Sequence, residues 1–335
     1  MLITSDIHLD NNPENDYRWG LLPWIIEQCE EYKIKNVLIL GDLTTSKDRH
    51  NAILVNRFFD QLSGLNKYAN VYLLQGNHDA ITPEWPFFGF VSELSHVTFI
   101  GTPTMVELHN SGICYFLPAT KTPEQDWKGL DFKYCDYIFT HQTYKGTIAE
   151  TGFPLPGVDP SIFGETNAKI YSGDIHFPGK IKGTNIEYVG APYRTAFGDR
   201  YTPRCILIDS DGGVRDLRYP CPNKILLDIT QLADLRDPPE EINPGDLIKI
   251  RMHLRRADYI TWPELKQEII NYVSDKGCIL HGKPELTQLV EAQTITAGYI
   301  AHRSAKELVS NYAERQNFSE ETTQIGLKIL EEADG

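Results

Sequence analysis

The sequence predicts an α/β fold built on a buried, largely parallel sheet, and two observations carry that expectation. Over the first 80 residues, apolar runs too short for helices alternate with stretches of helical spacing. Each run is apolar throughout, the pattern of a strand covered on both faces. Leu2–Thr4, Val37–Leu40 and Val71–Leu74 are predicted strands, separated by helices over Trp19–Lys33 and Ala52–Leu65. After residue 95 the connections shorten, so Val97–Ile100, Met105–Leu108 and Ile113–Leu117 are expected to pair antiparallel. Tyr137–Thr140 and Lys169–Ser172 are further strands, separated by a Gly-, Pro- and Thr-rich stretch over 145–168 that reads as a long loop. Cys205–Asp209 and Val214–Arg218 flank Ser210-Asp211-Gly212-Gly213, a hairpin signal. Pro220 and Pro222 mark a boundary. Beyond it Lys224–Ile229, Leu247–His253 and the helical Trp262–Val273 suggest a small α+β module. Ser304–Ala333 carries helical spacing in two pieces, with Ser319 as a cap for the second.

Composition narrows the class. The 335 residues are 41% hydrophobic and 23% charged, which excludes disordered and fibrous chains. No apolar stretch approaches the roughly 18–20 residues of a membrane helix. Met1–His8 has no secretory pattern, so the expected location is the cytoplasm. The six cysteines form no C-x-x-C pair and read as reduced thiols. A net charge of −14 argues against nucleic-acid binding by bulk charge. It leaves room for an enzyme whose metal ions supply the positive field.

The chemistry lies at the strand ends. Five separate apolar runs end in metal-ligating residues: Asp6 and His8, Asp42, Asn77-His78-Asp79, His141, and Asp174 with His176. Ligands bind just beyond the carboxyl ends of strands in open sheets. Residues i and i+2 of a strand share a face, which would pair Asp6 with His8 and Asp174 with His176. Gly41 and Gly76 would let backbone approach the ions. Taken singly, each piece has a plain reading as a turn or a hydrogen-bonded core histidine. Together they supply the ligands of two divalent ions sharing a carboxylate.

Asp6-x-His8, Gly41-Asp42, Gly76-Asn77-His78-Asp79, His141 and Gly173-Asp174-x-His176 resemble the five motifs of the calcineurin-like metallophosphoesterases, over roughly residues 1–220. Gly190-Ala-Pro-Tyr-Arg-Thr-Ala-Phe-Gly-Asp199 resembles a segment of the SbcD-type DNA repair and recombination nucleases. The length and tail resemble their compact phage-encoded forms, which would work in the host cytoplasm. The resemblance implies a two-sheet sandwich flanked by helices over 1–220, a small α+β capping module over 221–300, and a helical tail over 301–335. It implies one ion held by Asp6, His8, Asp42 and His176, and a second held by Asp42, Asn77, His141 and Asp174. The family usually has His at position 174. The ions expected are Mn²⁺, with Mg²⁺ possible. His78 would contact the phosphate or the leaving oxygen, with Asp79 orienting it.

Duplex DNA would need backbone contacts, for which Lys180, Lys182, Arg194 and Arg200 around the last motif, and Arg251 and Arg255 further on, are the candidates. The resemblance also implies a homodimer and an SbcC-type coiled-coil ATPase partner. The tail, with Leu308, Tyr312, Phe318, Ile325 and Leu327, would bind that partner. The competing readings are a stand-alone phosphoesterase for small phosphodiesters or phosphoproteins, and a binding scaffold. The scaffold is disfavoured because nearly every ligand position holds a competent residue.

Overall fold

The computed structural model of the chain describes residues 1–82, 85–108, 111–149, 152–289, 313 and 319–333. Strands β1 (Leu2–Thr4), β2 (Asn36–Leu40), β3 (Asn70–Leu74) and β4 (Val97–Ile100) lie side by side, all parallel. Helices α1 (Leu21–Tyr32) and α2 (Ala52–Leu65) make the first two crossovers; the Asn51 side chain caps α2 by accepting from the Leu54 amide at 2.9 Å. The chain then builds a second sheet from β5 (Thr104–Leu108), β6 (Gly112–Leu117), β7 (Tyr137–His141), β8 (Lys169–Gly173), β9 (Gly179–Lys180) and β10 (Ile186–Tyr188), in the order β5-β6-β7-β8-β10-β9. A single helical turn, α3 (Pro123–Asp126), lies between β6 and β7. β11 (Cys205–Ile208) and β12 (Val214–Leu217) return as the predicted hairpin and complete the first sheet beside β1.

The two sheets stack. Ile3, Leu38, Leu40 and Leu74 of the first meet Phe116, Phe139 and Tyr171 of the second in one buried cluster. The alternate residues, Leu2, Val37, Ile39 and Leu73, pack against Ile25, Phe58 and Leu62 of α1 and α2. This two-sided burial is why the runs are apolar throughout. Trp127, Phe132 and Phe163 cover the outer face of the second sheet.

Two expectations change. Val97–Ile100 does not join the antiparallel strands that follow it: it extends the first sheet in parallel to β3. The 145–168 stretch is pinned by bridges between Tyr144 and Val158 and between Ile148 and Pro154, and ends in a turn of 3-10 helix at Pro160–Phe163.

The segment after Pro222 has its own core, with Ile225, Ile250 and Met252 packed under Ile269 and Val273. Its strands β13 (Lys224–Ile229), β14 (Leu247–Leu254), β15 (Ile279–Leu280) and β16 (Glu285–Gln288) pair in parallel throughout, with helix α4 (Trp262–Asp275) following β14. It docks on the first 220 residues through polar contacts. Lys224 donates to Asn15, His281 pairs with Glu14 at 2.7 Å, and Arg194 pairs with Glu240 at 2.5 Å. In the tail, Ser319 caps helix α5 (Glu320–Ala333) as expected, accepting from the Thr322 amide at 3.2 Å. The first tail piece, with Leu308, Tyr312 and Phe318, lies outside the described residues. Among the described residues no helix is long and apolar enough to cross a membrane.

Candidate metal centre

The carboxyl ends of β1, β2, β3, β7 and β8 meet at one edge of the sandwich. The Leu40 carbonyl at the end of β2 accepts from Ser5 after β1 and sits 2.6 Å from His141 Nδ1 at the end of β7, tying the two sheets together. Alternation along a strand is not what brings the ligands round. Asp6 and His8 lie beyond β1, and both have left-handed backbone, at φ 54° and 37°. Asp42 (φ 55°) and Asp174 (φ 76°) do the same beyond β2 and β8. Six non-glycine residues of the described chain have positive φ, and four of them are predicted ligands. Strain of this kind concentrates at functional sites. The glycines are needed for a different reason. A Cβ on Gly76 would strike the Asp42 carboxylate and amide, and one on Gly41 would strike the His141 ring.

Two groups of ligand atoms result, each with its atoms within 4.8 Å of one another: Asp6, His8 and His176, and Asp6, Asp42 and His141. Asp42 faces both, with Oδ2 3.6 Å from His8 Nε2 and Oδ1 3.3 Å from His141 Nε2. The residues fit a pair of cations on three observations. His8 Nε2 and His176 Nε2 are 3.1 Å apart, close to the roughly 3 Å separating two nitrogens at right angles on an ion with bonds of about 2.1 Å. His141 Nδ1 donates to Leu40, which leaves Nε2 aimed into the site, a ligand for an ion once its proton is displaced. That Nε2 and Asp6 Oδ2 are both buried without a hydrogen-bond partner, a cost of about 1–3 kcal/mol each that a cation would relieve.

The charges support the same reading. Burial pushes the Asp6 carboxyl up to about 7, aided by Asp42 and opposed by His141. Burial also disfavours charge on Asp42, but His141 and His8 outweigh it and hold that carboxyl below its usual range. At His141 burial opposes the imidazolium, yet Asp42, Asp6 and Asp174 raise its pKa well above the ordinary value. Burial drives His8 down to about 3 and lowers His176. The metal-free site therefore keeps protons on Asp6 and His141, while His8 and His176 are already neutral. A cation must displace those protons. Mn²⁺ affinity is expected to strengthen as pH rises through about 7, with proton release read by calorimetry in buffers of different ionisation enthalpy. Affinity that is flat across that pH would refute the assignment.

Asn77 and Asp174 sit beside the second group. Asn77 Nδ2 donates to Asp174 Oδ1 at 3.3 Å, and Oδ1 is 3.9 Å from His141 Nε2. The Thr143 hydroxyl donates to Asp174 Oδ2. Asp174 is thus a neighbour of the second group, outside both close sets, and Thr143 is a partner that nothing in the motif spacing announced. His78 stands edge-on to His8, with ring centroids 5.3 Å apart, and its Nδ1 donates to the Thr45 carbonyl at 3.0 Å.

Asp79 does not orient His78. Its carboxylate accepts from the amides of Asp42 (2.9 Å), Leu43 (2.8 Å) and Gly76 (2.7 Å), lacing the β2 and β3 ends together. Burial raises its pKa to about 6. The catalytic role expected of Asp79 is corrected to a structural one, because three buried amides take its lone pairs. Asp79→Ala leaves those amides unsatisfied and is expected to cost about 3 kcal/mol or more of stability in urea unfolding. An unchanged unfolding midpoint would refute this.

Residues 1–162 match the calcineurin-like phosphoesterase family model. They carry a metallophosphoesterase domain, the domain of metal-dependent phosphoester hydrolases. No curated protein matches the chain. The family match stops before Asp174 and His176, yet β8 brings both against ligands inside it: the Asp174 amide donates to Asp6 at 3.3 Å, and His176 faces His8.

The basic residues expected to touch DNA are mostly paired with acids. Lys180 pairs with Glu187, Arg194 with Glu240, Arg251 with Asp228 and Glu285, and Arg255 with Asp258. Lys182 and Arg200 are exposed and have no ion pair among the described residues. Sequence reasoning also missed Arg18. It is 4% exposed and donates to the His8 carbonyl at 2.7 Å.

Proposed function

We propose that this chain is a two-metal DNA nuclease that hydrolyses phosphodiester bonds in recombination, repair or replication. The observation that carries the hydrolytic part is the double ligand set with Asp42 between its halves. Asp6, His8, Asp42 and His176 would hold one ion; Asp42, His141 and Asn77, with Asp174 beside them, the other. Mn²⁺ suits the mixed nitrogen and oxygen ligands, and Mg²⁺ is the alternative. When bound, the ions neutralise phosphate oxygens and lower the pKa of a water. Asp42 sets the spacing between the two halves. His78, with Nδ1–H committed to the Thr45 carbonyl, has Nε2 left toward the site, and its imidazolium form would donate from there to the phosphate or the departing 3′ oxygen.

DNA as substrate is supported by the resemblance of Gly190–Asp199 to the nuclease segment, and by that segment's contact with the site: Thr195 Oγ1 is 2.9 Å from His176 Nδ1. Of the six basic candidates, Lys182 and Arg200 have no ion pair among the described residues and would be available to a backbone. The same reading gives the tail to an SbcC-type coiled-coil ATPase and pairs two copies of the chain. The pairing of the other basic candidates with acids favours a second reading, a phosphoesterase for small phosphodiesters. Degradation of linear duplex DNA with Mn²⁺, compared with turnover of bis(p-nitrophenyl) phosphate, separates the two. Turnover of the small ester alone would overturn the DNA reading. For the partner, deletion of residues 304–335 is expected to keep basal cleavage and lose ATP-stimulated activity; unchanged co-purification with the ATPase would overturn that part.

A further inference from the structure

The segment Gly190–Asp199 meets His176 twice: the Ala191 amide donates to its carbonyl at 2.8 Å, and the Thr195 hydroxyl faces its ring. Thr195 Oγ1 lies 2.9 Å from His176 Nδ1 and donates its own proton to Asp199 Oδ2 at 3.2 Å. The same Asp199 oxygen accepts from the amides of Thr195 (3.0 Å) and Ala196 (2.8 Å), so it is held in place by the loop it caps. The Thr195 carbonyl is fixed from the other side. Lys224 Nζ, from the first residue of β13, donates to it at 3.2 Å, and Arg18, which also holds the His8 carbonyl, reaches it at 3.5 Å. Lys224 is itself buried and donates to Asn15 at 2.9 Å.

A hydroxyl whose proton is committed to a carboxylate offers only lone pairs to its other neighbour. His176 Nδ1 must then carry the hydrogen, and Nε2 keeps the lone pair that faces His8 Nε2 at 3.1 Å. We propose that Thr195 and Asp199 are positioning residues that hold His176 in the Nδ1–H tautomer, with Nε2 open to the ion. The inference rests on the metal-binding part of the reading above and is independent of the DNA substrate. Partners of this kind behind a ligating histidine typically contribute about 10–100-fold in metal affinity.

The test has two readouts. Long-range ¹⁵N–¹H correlation of the neutral, metal-free protein reports the tautomer, and titration calorimetry with Mn²⁺ reports affinity. Wild type is expected to show His176 with hydrogen on Nδ1. Thr195→Val, isosteric without the hydroxyl, is expected to lose that single tautomer and weaken one Mn²⁺ site about 10-fold or more, leaving the other unchanged. Thr195→Ser restores the hydroxyl and is expected to restore both signals. Should Thr195→Val lower the metal-free melting temperature, Asp199→Asn is read instead; it is expected to shift both signals in the same direction, by less. Hydrogen on Nε2 in wild type overturns the proposal, as does unchanged Mn²⁺ affinity in both variants. Absence of any Mn²⁺ binding by wild type overturns the metal reading and this inference together.

Discussion

Asp42→Asn is expected to abolish hydrolysis. Its carboxylate faces both halves of the centre, with one oxygen toward His8 and the other toward His141. The amide keeps the shape and loses the charge. A two-ion site supplies several kcal/mol of charge stabilisation in the transition state, and about 1.4 kcal/mol is tenfold in rate, so a loss of about 10³-fold or more follows. The fold should survive. Asparagine tolerates the left-handed backbone of position 42, and its Oδ1 can still accept the His78 amide, which wild type holds at 2.9 Å. The substitution also removes the strongest upward pull on His141, so the metal-free variant should show a lower His141 pKa by NMR. Near wild-type Mn²⁺-dependent turnover would refute the two-ion reading. An unchanged His141 pKa would refute the electrostatics behind it.

His78→Ala should keep the ions and lose the rate. The side chain belongs to neither close ligand set, and its backbone amide, which holds Asp42, survives the substitution. A positioned donor of this type contributes about 10²–10⁴-fold. The expected result is a kcat lowered by that range with Mn²⁺ affinity unchanged. Lost affinity in calorimetry would make His78 a ligand instead. The contrast with Asp79→Ala is informative, because neighbouring residues then fail differently: one loses chemistry, the other stability.

The fold class and the candidate ligand residues were legible because both are local patterns. An apolar run followed by Gly-Asp, or by Gly-Asn-His-Asp, marks a buried strand that stops in a polar pocket. Less legible was anything that depends on which chain segments meet. Val97–Ile100 is a good strand by composition, but its sheet is decided by the pairing with Val71–Leu74. Asp79 carries the same side chain as a ligand; only the amides of Asp42 and Leu43, 36 or more positions away, give it a different task. Arg251 resembles a DNA contact until Asp228 and Glu285 arrive from adjoining strands. The D-x-H spacing was informative for a reason other than the one it suggested. The two side chains meet through left-handed turns beyond the strand, where sheet alternation has ended.

Those left-handed turns bear on how a gene for this domain would decay. Asp6, Asp42 and Asp174 each stand where few side chains are comfortable. A single base change converts an aspartate codon to asparagine, glycine or valine, among others. Asparagine and glycine accept such backbone; valine, branched at Cβ, is strained there. Purging of misfolded copies would remove the valine changes and pass the other two. A duplicate freed from selection on catalysis would thus shed its charges first and keep its shape, becoming a folded, silent phosphoesterase with its outer surfaces intact for some other use.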